Sequence, residues 1–116
     1  MKIVAFIILL SGLTILATSL PLLLRKVPMN RKWGIRLPAA FESDQRWYEI
    51  NAYGGRLFAV WSLLIVGTGL VGFFLPNEAI IPYAGSATAI SFVSVVIPLV
   101  RTCAWIAPHK KRQISA

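Results

Sequence analysis

A chain of 116 residues makes one domain at most, and 57% hydrophobic residues with only 14% charged ones excludes an ordinary soluble globular protein. The net charge of +8 would point to nucleic acid in a soluble chain, but here the basic residues flank apolar spans, as the positive-inside bias requires, and no nucleic-acid partner is expected. Cys103 has no partner in the chain for an internal disulfide, and His109 stands alone in a basic tail, so no metal site is expected.

Ile3 to Leu24 is an uncharged run of 22 residues, about 33 Å long as a helix and sufficient for a hydrocarbon core of about 30 Å. A cleavable signal peptide competes for this stretch, since Lys2 is a minimal basic start and Ala17-Thr18-Ser19 has the small residues of a cleavage site. Against it, the apolar run continues through Leu20 to Leu24, where a mature polar N-terminus should begin. Pro21 removes the amide that would bond the carbonyl of Ala17, and a hydroxyl such as that of Thr18 can compensate.

The segment 25–56 is the long polar stretch of the chain, with seven of the twelve Lys and Arg residues and three of the four acids. Pro28, Gly34 and Pro38 forbid one continuous helix, so 25–41 is expected to be an ordered loop. Ser43 is a good N-cap and Asp44 complements the helix dipole, so a short helix should begin there. On it Trp47, Asn51 and Gly54 share one face, and Arg46, Glu49, Tyr53 and Arg56 share another. If Gly54-Gly55 leaves the helix intact, the first face pins the loop to the bundle, Trp47 by apolar area and Asn51 by bonding loop backbone. Arg36, in the turn Trp33 to Pro38, has Glu42, Asp44 and Glu49 as nearby acids to pair with, or a phosphate headgroup. Headgroup contact is the expectation for Arg25, Lys26, Arg31 and Lys32.

A second span covers Leu57 to Leu75 and is stopped by Pro76-Asn77, and a third covers about 80–101, followed by a basic tail at 108–116. The predicted fold is therefore all-α: three transmembrane helices in a small bundle, with a loop and short helix between the first two. The first loop and the tail are basic and the second loop is not, which places 25–56 and the C-terminus in the cytoplasm and the N-terminus outside. Each span carries small or hydroxylated residues at spacings of three and four: Ser11, Thr14, Thr18 and Pro21; Gly55, Ala59, Ser62 and Gly69; Ala84, Ala87, Ser91, Ser94 and Pro98, ending on Arg101. These stripes are expected to face one another in a left-handed bundle. A polar seam that takes a peptide or polar ligand is the functional alternative, with Arg101 as its pivot or as a side chain snorkelling to headgroups.

The run Pro28, Asn30, Trp33-Gly34-Ile35-Arg36, Pro38, then Ser43, Trp47 and Asn51, leading through Gly54-Gly55 into a hydrophobic span, resembles the SdpI family of small bacterial integral membrane proteins. The likeness covers roughly 22–76, the third span agreeing only in general character. Leu37 stands where the family usually has Thr, Met29 separates Pro28 from Asn30, and the namesake is longer with additional spans. The resemblance implies a plasma-membrane protein; in the namesake it implies protection against a secreted killing peptide and binding of a transcriptional repressor.

No enzyme signature is present: the acids lack a partnered His, and no glycine run has phosphate-loop spacing. The spacing of Glu42, Asp44 and Glu49 is not that of a metal loop, and no cofactor is implied. Three functions stay open: SdpI-like protection or signalling through a protein or peptide partner in the membrane, an accessory subunit of a larger membrane complex, and a lipid-acting enzyme at the loop. Membrane lipids are expected partners in each, and a homo-oligomer is compatible with the stripes.

Overall fold

The computed structural model describes residues 1–30 and 32–115, with side chains through Ile106. Arg31 and the basic side chains Lys110, Lys111 and Arg112 lie outside the described residues, as does the side chain of His109. The described residues form three α-helices, α1 (Lys2–Leu23), α2 (Asp44–Gly72) and α3 (Ile80–Ser115). Each is long and apolar enough to cross a membrane.

Pro21 sits within the last turn of α1, and the helix ends immediately after it. Arg25 takes the left-handed conformation, with φ 59°. Its amide donates to the Leu22 carbonyl at 3.1 Å and that of Lys26 to the Pro21 carbonyl at 2.9 Å, so two otherwise orphaned carbonyls are closed off. The chain then turns back over the end of the bundle, forms a short 3-10 turn at Pro38–Phe41 and enters α2 at Ser43. Ser43 Oγ accepts from the Arg46 amide at 3.1 Å, satisfying one of the free donors of the first turn.

The short helix expected between the first two spans is not a separate element. It is the first part of α2, which runs unbroken through Gly54-Gly55 for 29 residues, about 43 Å and longer than a bilayer core. Packing explains the continuity, because both glycines are buried against neighbours that leave no room for a side chain. A Cβ at Gly55 would lie 3.0 Å from the Leu22 Cβ and from the Leu23 amide, and one at Gly54 would collide with the end of Ile35.

α2 is the centre of the fold: α1 packs along one side of it and α3 along another, while α1 and α3 hardly touch. The expectation that three small-residue stripes converge is corrected accordingly. Ser11, Thr14 and Thr18 are exposed, their hydroxyls donating to carbonyls of their own helix at 2.8–2.9 Å. The face that α1 buries is Ala5, Gly12, Ser19 and Leu22. A Cβ on Gly12 would stand 2.8 Å from the Val66 amide, and one on Gly69 of α2 would stand 2.6 Å from the Leu9 backbone. Such approach maximises dispersion contact where lipid supplies no hydrophobic drive. On α3 the buried line is Tyr83, Ala87, Ser94, Pro98, Thr102 and Ile106. Arg101 is exposed and is not part of this buried line.

Two clusters close the ends of the bundle. At the far end Ala5, Tyr83 and Ala87 pack with Phe73 and Ile8, and Tyr83 Oη donates to the Thr68 carbonyl at 2.8 Å. At the loop end a larger cluster joins Val27, Ala39, Ala40, Trp47, Ile50, Leu22 and Ile106. It resembles the core of a small soluble domain set on top of the membrane helices.

Candidate functional site

The site is built from the loop and the start of α2. Asn30 opens it by closing a tight turn: its Oδ1 accepts from the amides of Lys32 and Trp33 at 2.8 and 2.6 Å, and its Nδ2 donates to the Pro28 carbonyl at 2.8 Å. Trp33 Nε1 then donates to the Thr18 carbonyl of α1 at 3.2 Å. Gly34 follows with φ +117°, a conformation that L side chains avoid, and a Cβ there would meet Asn51 Oδ1 at 2.8 Å and the Trp47 ring at 3.1 Å. Pro38 starts the 3-10 turn that carries the buried Ala39 and Ala40.

Two side chains of α2, one turn apart, hold this loop down. Trp47 is fully buried, its Nε1 donating to the Val27 carbonyl at 2.8 Å and its ring lying 5.6 Å from that of Phe41. Asn51 is 1% exposed. Its Oδ1 accepts from the Ile35 amide at 2.6 Å, while its Nδ2 donates to the Trp47 carbonyl at 2.9 Å and, more weakly, to the Ile35 carbonyl at 3.4 Å. One carboxamide thus stands in for a neighbouring strand, serving both backbone groups of a loop residue.

Beneath the clamped loop lies an open groove of about 470 Å³. Thr18, Ser19 and Leu22 of α1 form one wall, Phe58 of α2 the floor and Leu99 of α3 the other wall, with Trp33 to Leu37 as the roof. It exists because α1 and α3 diverge around α2. Arg36 lines it and is exposed, so a cationic group borders an otherwise largely apolar recess.

Arg46, on the helix face it shares with Glu49, Tyr53 and Arg56, is 6% exposed. Its Nε lies 3.8 Å from Glu42 Oε2 and its Nη1 3.6 Å from Glu49 Oε2, and Gln45 Nε2 donates to Glu49 Oε1 at 3.0 Å. Arg46 Nε and Nη2 are buried without a hydrogen-bond partner among the described residues. Tyr53 does not point to solvent either; it stacks on Trp105 of α3, ring centroids 4.5 Å apart.

Of the packing residues named from sequence, Gly55, Ala59, Ser62 and Gly69 are buried along α2, with Ser62 Oγ donating to the Ala59 carbonyl at 2.7 Å. Ser94 is buried and Ser91 half-buried on α3. Sequence reasoning overlooked Ala5, Gly12 and Ser19, whose spacing of seven was readable but lay beside a more conspicuous hydroxyl stripe. It also overlooked Val27 and Ile35, backbone partners of the clamp that no side-chain chemistry marks.

Among curated proteins and among solved structures, nothing matches the chain. A family model does, over residues 26–106, which takes in the loop, all of α2 and α3 as far as its last described side chain. The match is wider than the likeness read from 22–76, because it includes the third span. It begins at the start of the clamped loop and leaves all of α1 outside. On this match the chain belongs to the SdpI/YfhL protein family.

Proposed function

We propose that this is an SdpI-like protein of the bacterial plasma membrane that protects against a membrane-active peptide, or signals its presence, through the clamped loop and the groove below it. The observation that carries the reading is the pair of bonds from Trp47 and Asn51 to the loop backbone. A tether between spans needs no such clamp, whereas a binding surface does, because pre-ordering the loop removes the entropic cost of ordering it on contact. The groove suits an amphipathic peptide: its lining is mainly apolar, with Thr18 and Ser19 on one wall, it opens between helices, and the Arg36 guanidinium at its border can make a charge-assisted bond to a carboxylate or carbonyl. The basic residues of the loop support a cytoplasmic side for it. A binding role, not catalysis, is the reading adopted.

The test is survival of bacteria expressing the protein under challenge with a membrane-active killing peptide. Protection that is lost in Arg36→Ala and Asn51→Ala at unchanged abundance supports the proposal, and protection unaffected by either removes the loop from the function. An accessory-subunit role is the second reading, favoured by the exposed apolar flanks of α1 and α3. A stoichiometric membrane partner recovered in mild detergent would support it.

A further inference from the structure

A second recess lies away from the loop groove, on the seam between α2 and α3. At its loop end Arg56 of α2 and Arg101 of α3 line one cavity of about 410 Å³ with Leu57, Val60 and Trp61. Trp61 is shared with the next cavity along the seam, about 270 Å³, whose other walls include Leu64, Ala89, Ile90 and Val93. The two form a furrow with a cationic head and an apolar body. From Arg56 to Leu64 the rise is about 12 Å, close to the ~15 Å of one leaflet of hydrocarbon.

We propose that this furrow seats one anionic phospholipid, its phosphate between Arg56 and Arg101 and one acyl chain along Trp61, Leu64 and Ala89. Both arginines are exposed, and among the described residues no carboxylate lines either cavity. On its other side Arg56 borders a depression that contains Glu49, but Glu49 sits 3.6 Å from Arg46. Two planar guanidiniums from separate helices suit a phosphodiester, which accepts paired N–H donors. Trp61, just below them, lies where amphipathic rings favour the membrane interface. A second copy of the chain fits this face poorly, since a twofold contact would bring two arginines of each copy together. This site is distinct from the loop groove and does not depend on the function proposed for it.

The test uses the full chain in nanodiscs of mixed phosphatidylglycerol and phosphatidylcholine, with retained lipid read by native mass spectrometry. Wild type should retain phosphatidylglycerol preferentially, by about five-fold for each arginine engaged. Arg56→Ala with Arg101→Ala should abolish the preference, and Lys26→Ala with Lys32→Ala should keep most of it. Ala89→Trp changes no charge but fills the furrow, and it should reduce the retained lipid. Selectivity unchanged in the double arginine variant, equal loss in the lysine variant, or full retention in Ala89→Trp would each overturn the proposal. So would disulfide-linked dimers forming efficiently from Trp61→Cys in a Cys103→Ser background.

Discussion

Asn51 and Ile35, sixteen residues apart, are joined as two β-strand residues would be, the carboxamide accepting from the Ile35 amide at 2.6 Å and donating towards its carbonyl at 3.4 Å. The arrangement makes both backbone groups of Ile35 depend on one side chain. Asn51→Ala should leave the Ile35 amide part-buried and unpaired, at a cost of about 1–3 kcal/mol. The helices would still insert, so the measurement is limited trypsin digestion of inside-out vesicles: cleavage after Lys32 and Arg36 should be slow in wild type and fast in the variant. Equal rates would show that the bond does not hold the loop.

Gly34 and Gly67 make a matched pair. Gly34 has φ +117° and no room for a Cβ, whereas a Cβ on Gly67 would meet nothing within 4 Å. Gly34→Ala should destabilise the loop end by about 1–3 kcal/mol, and Gly67→Ala should be neutral or stabilise α2 by up to about 1 kcal/mol. Thermal denaturation in detergent orders the two, and a reversed order would contradict the described loop conformation.

Helix contact is tested at Gly69, where a Cβ would lie 2.6 Å from the Leu9 backbone. Gly69→Leu should cost at least about 1–3 kcal/mol, since backbone cannot step aside as a side chain can. Gly67→Leu, on the same helix but in open space, is the control. Equal melting temperatures for the two variants would mean that α1 does not pack on this face.

Arg46 gives a prediction of opposite sign. Two of its nitrogens are buried without a hydrogen-bond partner among the described residues, and its contacts with Glu42 and Glu49, at 3.8 and 3.6 Å, are long. Desolvation of such a charge offsets most of the Coulomb gain. Arg46→Met should therefore leave thermal stability unchanged or raise it. A loss of about 3–5 kcal/mol would show instead that the guanidinium is a structural centre of the loop end.

For orientation, cysteine introduced at Asn77 should react with an impermeant thiol reagent added to whole cells, and cysteine at Lys111 should react only after permeabilisation, in a Cys103→Ser background. The basis is the basic loop and tail against a second loop with no Lys or Arg. The converse pattern would put the loop groove on the outer side and exclude a cytoplasmic signalling partner.

Much of this architecture was legible because it follows from local rules. Uncharged runs of bilayer length mark the spans, Ser43 and Asp44 mark a helix start, and Trp47 and Asn51 fall on one side of that helix by periodicity alone. What the sequence concealed depends on neighbours. In a helix with almost no polar residues, hydroxyl groups stand out, but Ser11, Thr14 and Thr18 satisfy themselves on their own carbonyls and can face lipid. Ala5, Gly12 and Ser19 make the contact, and of these only Ser19 carries a polar group. Periodicity groups Arg46 with Glu49, Tyr53 and Arg56 but is silent on its burial, which follows from the loop folding back over the first turn of α2, a tertiary event that no helical period contains.

The claim on which the functional reading rests is that the loop is an ordered platform in the absence of ligand. Amide hydrogen exchange of the full chain in nanodiscs tests it at Ile35, whose N–H points into a side chain and not into a helix. The account predicts that the Ile35 amide exchanges far more slowly than an unstructured loop amide, and that Asn51→Ala abolishes this protection while leaving the middle of α2 protected. Exchange of Ile35 at the unprotected rate in the wild-type protein would contradict it.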